Sequence, residues 1–365
     1  MIYLDHAATS FRKPIHVRQA MLTAMEYCAN PGRGGYKAAM TAAETVFRCR
    51  ETASKFFHCS PEQVVFTSNC THGLNMAIST LVKPGDRVLI SGFEHNAVTR
   101  PLHALGAELV IAGSCLFDWD NTLDEFEQGL KKGVDAAVFT HVSNVFGYVL
   151  PVDEMASLCR KYRVPFAVDA AQSAGSLPVD FTRWGANFVA MPGHKGLLGP
   201  QGTGLLLCGR LPKPILYGGT GSQSMEQQMP DFLPDRAEAG TVNVPGIAGL
   251  EAGIRYINHA GLDHIFSREK KQSLRCAAGL IKLGFTVYEG PHQSGVVSFT
   301  PSMDCQEAAD LLAQQGIAVR AGLHCAPLAH KTAGTLDTGT VRVSFGHDAD
   351  DRQTTLFLQK VHALL

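Results

Sequence analysis

The chain has 365 residues, 45% of them hydrophobic and 18% charged, and a formal net charge of -1. That length accommodates a large domain and a smaller one. The absence of any basic run leaves nothing to neutralise nucleic acid or an anionic membrane. The opening MIYLDHAATS lacks the charged flank and apolar stretch of an export signal, and no apolar run approaches the roughly 20 residues that span a bilayer. A soluble, cytoplasmic protein is the expectation.

In chain order, short apolar runs alternate with helix-period stretches, the pattern of a wound α/β domain. Strands are expected at 64–67, 87–90, 108–111, 136–140, 166–169, 188–191 and 204–208. Helices are expected between them, near 71–81, 97–105, 123–130 and 153–162. Most of the strands are apolar on both faces, as in a largely parallel sheet covered by helices. Residues 217–240, rich in Gly, Gln, Met and Pro, read as a loop. Two long helices follow, at 244–258 and 262–283. The rest alternates strand, strand, helix, strand, loop, strand and helix, a small α+β unit. The division is therefore an N-terminal segment at 1–15 that packs with the small domain, a large domain at 16–261 and a small domain at 262–365.

The ten cysteines, at 28, 49, 59, 70, 115, 159, 208, 276, 305 and 325, are scattered without a C-x-x-C pair. They read as reduced thiols, and buried filler is the ordinary role for any one of them.

Three segments carry a chemical signature. In MPGHKGLLGPQGTGLL, residues 191–206, Lys195 sits in a Gly-rich turn between apolar strands. A lysine that forms a Schiff base needs a lowered pKa and close approach by its partner, and the glycines at 193 and 196 permit such approach. In FAVDAAQSAG, residues 166–175, Asp169 ends an apolar strand. Open α/β sheets bind ligands at the carboxyl ends of their strands, although a lone strand-end Asp is as readily a helix N-cap. In VFTSNCTHGLNMAI, residues 65–78, a strand enters a polar turn, and Cys70–Thr71 open a helix. Helix N-termini bind phosphate.

Together these segments resemble the class V aminotransferase family of fold-type I pyridoxal-phosphate enzymes. The likeness is strongest to its group II cysteine desulfurase and selenocysteine lyase branch, and runs from YLDHAATS at 3–10 to TVRVSFG at 340–346. It implies a large domain with a mainly parallel seven-stranded sheet and a small α+β C-terminal domain. It implies that Lys195 carries pyridoxal 5'-phosphate, that Asp169 pairs with the pyridine nitrogen and that Gln172 faces the phenolic oxygen. His95, in FEHNAV, matches the histidine stacked on the ring. Asn144, in HVSNVFG, matches an asparagine near the phenolic oxygen. Thr71 and His194 match phosphate ligands. Thr241, in EAGTVN, matches a threonine that reaches the phosphate of the partner subunit, so a homodimer is implied. Two positions depart from the family pattern. Pro192 stands where a serine or threonine is common, and Cys70 where a threonine is, which thins the hydroxyls around the phosphate.

VRAGLHCAPLAH, residues 319–330, resembles the R-x-G-x-H-C-A motif of that branch, which makes Cys325 the sulfur nucleophile. Thiolates are favoured by basic neighbours, here Arg320 and His324. Arg342 matches the arginine that takes the substrate carboxylate, for which a guanidinium fork is suited, and the likeness also puts Arg320 and Asn144 on the substrate side of the site. Only 17 positions separate Cys325 from Arg342, so the cysteine has little reach and an acceptor protein or small thiol must come to it. The activity implied is conversion of L-cysteine to L-alanine, with sulfur passing to Cys325 and on to an acceptor. His95 serves as general acid, and no metal takes part. L-selenocysteine as substrate, another class V aminotransferase or lyase reaction, and a non-catalytic sulfur-transfer scaffold remain open alternatives.

Overall fold

The structure, a computed structural model, describes residues 1–32 and 34–362. The chain begins with a two-residue strand, β1 (Ile2–Tyr3), and two helices, α1 (Ile15–Tyr27) and α2 (Lys37–Phe57). The strands β2 (Val64–Thr67), β3 (Arg87–Ser91), β4 (Glu108–Ala112), β5 (Ala136–Thr140), β6 (Phe166–Asp169), β7 (Phe188–Pro192) and β8 (Gly204–Cys208) form one sheet in the order β2-β8-β7-β6-β5-β3-β4. Only β8 runs against its neighbours, as the mainly parallel expectation requires. The connecting helices are α3 (Cys70–Leu81), α4 (Asn96–Ala104), α5 (Trp119–Lys131), α6 (Val152–Tyr162) and the one-turn α7 (Phe181–Trp184).

Side chains alternate across this sheet with the period of a strand. Val65, Val88, Ile90, Val138 and Phe188 join the apolar residues of α3 and α4 on one face. Val64, Phe66, Leu89, Phe139 and Val189 join those of α2, α5 and α6 on the other. Each fully buried side chain of this size contributes about 2 kcal/mol. The carboxyl ends of β5, β6 and β7 therefore sit on a rigid platform, as a site there requires.

Beyond residues 217–240, which contain no helix or strand, run α8 (Val244–Ala260) and α9 (Leu262–Lys282). The small unit adds β9 (Thr286–Tyr288), β10 (Val296–Thr300), α10 (Cys305–Gln314), β11 (Ile317–Ala318), β12 (Arg320–Gly322), α11 (Pro327–Thr332), β13 (Thr340–Ser344) and α12 (Asp351–His362). Its antiparallel sheet has the order β12-β13-β10-β9. The N-terminal segment joins this unit: β1 pairs in parallel with β11, Asp5 bridges to Ser344, and Leu4 enters the small-domain core.

The helices α1 and α2 were not expected from the sequence. Both lack a side-chain N-cap, since Pro14 and Tyr36 stand at the cap positions, and several of their large apolar residues face outward. Start signals and a clean amphipathic stripe were therefore both missing. The loop between Cys325 and Arg342 likewise contains a short helix, α11.

Candidate active site

A cavity with about 510 Å³ of empty space opens at the carboxyl ends of β5, β6 and β7. Lys195, Asp169, Gln172, His95, Asn144, Cys70, Thr71 and His194 all line it, with Pro192 and Asn69. Residues up to 126 positions apart, from Asn69 to Lys195, thus meet at one place.

Lys195 follows β7 in the turn the glycines define. These glycines serve the protein's own packing rather than an approaching cofactor. A Cβ on Gly196 would stand 2.4 Å from the Ala174 carbonyl oxygen, and one on Gly193 would stand 2.1 Å from Thr203 Oγ1. They let the lysine turn nest against the loop after β6. Burial pushes the Lys195 amine below its ordinary pKa, while the nearby Asp169 carboxylate pulls it back up. No side-chain hydrogen bond holds the amine among the described residues.

Asp169 is buried at the end of β6. Its Oδ1 accepts the Ala171 amide at 2.8 Å and the Cys70 thiol at 3.4 Å, which leaves Oδ2 without a protein donor among the described residues. The thiol of Cys70 is thus turned to the carboxylate. Burial and Asp169 hold it well above the usual thiol pKa, so it donates and does not stand in for the missing threonine hydroxyl. The cap of α3 is Asn69, whose side chain accepts the His72 amide at 2.9 Å, rather than Thr71. The Thr71 side chain remains exposed at the cavity edge.

His95 caps α4, its Nδ1 accepting the Ala97 amide at 3.0 Å. A neutral ring bonded in this way carries its proton on Nε2. Burial lowers the His95 pKa despite the pull of Asp169, so the neutral form prevails near pH 7. His194 is lowered to about 4 by burial, and its Nδ1 lies 3.1 Å from Thr9 Oγ1. Its contribution to an anion is therefore a neutral hydrogen bond. Gln172 donates through Nε2 to the Ala7 carbonyl at 3.0 Å, which joins the N-terminal segment to the cavity wall.

The remaining expected residues lie outside that wall. The carbonyl of Cys325 accepts the Asn96 amide at 2.7 Å, and the carbonyl of His324 accepts Asn144 Nδ2 at 2.8 Å. These bonds tie the exposed Cys325 to the two cavity residues His95, next in sequence to Asn96, and Asn144. The expectation of a basic pair around the thiol is corrected. His324 is buried with Nε2 3.2 Å from the Thr340 carbonyl, and burial with Arg342 close by lowers its pKa to about 2. It brings no positive charge. Arg320 is already engaged by Asp5 at 2.9 Å. Arg342, buried on β13, donates to the Asn144 carbonyl at 2.9 Å and to Asp5 at 2.8 Å. Thr241 is exposed and stands apart from the cavity of its own chain.

All ten cysteines are free; Cys325 and Cys115 are exposed, Cys28 and Cys59 half-buried and the other six buried. Among the described residues no group of His, Cys, Asp and Glu could hold a metal ion, and no helix is long and apolar enough to cross a membrane. Asp5, Asn69 and Glu94 were not singled out from the sequence. Asp5 lies in the quoted YLDHAATS segment, but its partners are 315 and 337 positions away, a separation without a local signal.

An unbonded, half-buried lysine beside a carboxylate with a free oxygen is the donor set a pyridoxal ring needs, with a histidine and an opening helix on the same wall. The fold and this site define a class that the comparisons name. The Aminotransferase class-V family model matches residues 2–357, and the chain belongs to that family. A probable cysteine desulfurase of Methanothermobacter thermautotrophicus is 35% identical over 94% of this chain and 89% of its own length. One of Pyrococcus abyssi is 33% identical over the same shares. The apo structure of a cysteine desulfurase from Thermococcus onnurineus superposes with a TM-score of 0.91 at 32% identity, covering 100% of this chain and 94% of that one. The cysteine desulfurase CsdA of Escherichia coli, 24% identical with a TM-score of 0.87 over 99% of this chain and 94% of that one, shares the fold.

Proposed function

We propose that this protein is a pyridoxal-phosphate-dependent cysteine desulfurase, which converts L-cysteine to L-alanine and passes the sulfur through Cys325 to an acceptor. The observation that carries this reading is the cysteine turn held by Asn96 and Asn144 at the wall of the Lys195–Asp169 cavity. The names of the relatives at 35% and 33% identity support it.

Lys195, Asp169, Gln172, His95, Thr71 and His194 would hold the cofactor. When bound, pyridoxal phosphate supplies a protonated ring that draws electrons from the substrate Cα and loosens the Cβ–S bond. Asp169 Oδ2 is free to accept the pyridine N–H and keep that ring protonated. Lys195, its amine favoured in the neutral form by burial, removes the Cα proton. His95, neutral with its proton on Nε2, offers that N–H as a hydrogen bond to the reacting groups rather than giving the proton up as an acid. Arg342 has N–H groups beyond the two given to Asn144 and Asp5, and these receive the substrate carboxylate. The Cys325 thiolate attacks the substrate sulfur. The Sγ–S bond forms as the Cβ–S bond breaks, the electron pair returns to carbon, and carbon is protonated. Alanine leaves, and Cys325 holds a persulfide for an acceptor thiol.

A homodimer fits the same reading. Phe11, Leu22, Met25, Tyr27, Met40 and Phe47 expose large apolar side chains on and beside α1 and α2, and clustered apolar surface of this kind is ordinarily covered. Pairing would also bring Thr241 to the cofactor of the other chain.

Parent protein given L-cysteine is expected to release alanine. Lys195→Ala should lose both this activity and the near-visible absorbance of lysine-bound cofactor, whereas Cys325→Ala should keep the absorbance and lose alanine release. Undiminished alanine release by Cys325→Ala defeats the proposed sulfur path.

A further inference from the structure

Arg320 on β12 and Arg342 on β13 are directly opposed in the antiparallel register. Like charges facing each other across a sheet are destabilising. Asp5, from the N-terminal segment, lies between them. Its Oδ2 accepts Arg320 Nε at 3.0 Å and Nη2 at 2.9 Å, and its Oδ1 accepts Arg342 Nη2 at 2.8 Å. Asp5 is itself held in place: its carbonyl accepts the Ala8 amide at 3.1 Å and the Tyr3 hydroxyl at 3.1 Å, and its backbone bridges to Ser344. The residue is 7% exposed, so water does little to screen the pairing.

The two arginines face different parts of the site. Arg342 also grips the Asn144 carbonyl, its Nε is buried without a partner, and its charge is felt at both Lys195 and His95. Arg320 is half-exposed on β12, five positions before Cys325 in the chain. The other titratable groups around this corner are Tyr3 on β1, His6 after it, Lys195 with Asp169 in the cavity, His324 beside the cysteine, His330 on α11, and His95 at the cap of α4 with Arg100 within it. The four histidines are held neutral by burial, and Asp5 is the carboxylate that both arginines share.

We propose that Asp5 is a positioning residue that aims Arg342 at the substrate carboxylate and balances the charge of Arg320 beside the sulfur nucleophile. The N-terminal segment thereby couples substrate recognition to the cysteine turn. The Arg342 half of this proposal rests on the desulfurase reading above; the Cys325 half does not. Without the carboxylate, Arg342 loses the bond that fixes its angle and is pushed by Arg320, while the thiolate of Cys325 gains from an uncompensated guanidinium.

The test uses cofactor-loaded full-length protein with Asp5→Asn, which keeps the shape and removes the charge, and Asp5→Glu, which keeps the charge. Asp5→Asn is expected to raise KM for L-cysteine about tenfold with kcat within about threefold of the parent. The rate of Cys325 alkylation by iodoacetamide at neutral pH should rise about threefold, as a larger thiolate fraction requires. Asp5→Glu should return both values part of the way. Loss of stability alone would move neither readout in this pattern. If Asp5→Asn leaves KM or the alkylation rate within about twofold of the parent, the proposal is overturned. Should the parent itself fail to turn over L-cysteine, the desulfurase reading falls, and the alkylation rate alone decides the role of Asp5.

Discussion

His324 and Cys325 both adopt left-handed backbone angles, with φ of 50° and 56°. For residues with a side chain this conformation costs about 1–2 kcal/mol each, and two in succession need external support. That support comes from the Asn144 side chain on the His324 carbonyl and the Asn96 amide on the Cys325 carbonyl. The left-handed pair turns the buried imidazole of His324 inward and leaves the cysteine exposed, so the strain presents the thiol. Asn144→Ala removes one of the two supports without touching the thiol. Alanine release from L-cysteine should fall about tenfold, while chemical stability changes by no more than about 1 kcal/mol. Unchanged turnover in a steady-state assay would show that the turn does not need this bond.

At the scale of elements, the junction of β3 and α4 sets the position of His95. Glu94, fully buried there, accepts from the Ser91 hydroxyl and, at 2.8 Å, from the Thr140 amide, while its Oε2 has no partner. Burial raises its pKa from 4.5 to about 8. Between about pH 4.5 and about pH 8 the native chain holds a proton here that the unfolded chain has released. Stability is therefore lost as the pH rises through that window, and the loss levels off above it. Glu94→Gln keeps an acceptor for both donors and cannot ionise. Thermal melts should show the parent losing stability relative to the variant from pH 5 to pH 8, by roughly 3 kcal/mol. Parallel curves would mean that Glu94 is not held protonated.

Across the whole molecule, periodicity and turn chemistry made the large sheet readable, because its strands are buried on both faces and bounded by Gly, Pro and polar turns. The expected strand at 136–140 coincides with β5, and those at 64–67, 166–169 and 204–208 coincide with β2, β6 and β8. The cavity residues were legible for a related reason: Asp169 ends a strand, His95, Cys70 and Thr71 stand at helix starts, and Asn144, Gln172, His194 and Lys195 follow within a few positions of a strand end, so local pattern and family likeness point to the same side chains. What stayed hidden depends on tertiary contact. The uncapped helices α1 and α2 draw their stability from packing rather than start signals. The glycines beside Lys195 are fitted to Ala174 and Thr203, not to a cofactor. His324 reads as a basic neighbour of Cys325 until burial is known. Asp5 gains its meaning only where β12 and β13 bring two guanidinium groups together.

The central claim is that sulfur leaves the substrate by way of Cys325. Mass spectrometry of the Cys325 peptide after incubation with L-cysteine, with alanine counted in the same sample, tests it most directly. The account predicts that the peptide gains one sulfur atom, that the gain is removed by a thiol reductant, and that alanine forms with it. Alanine forming at full rate while the Cys325 peptide keeps its original mass throughout would contradict the account.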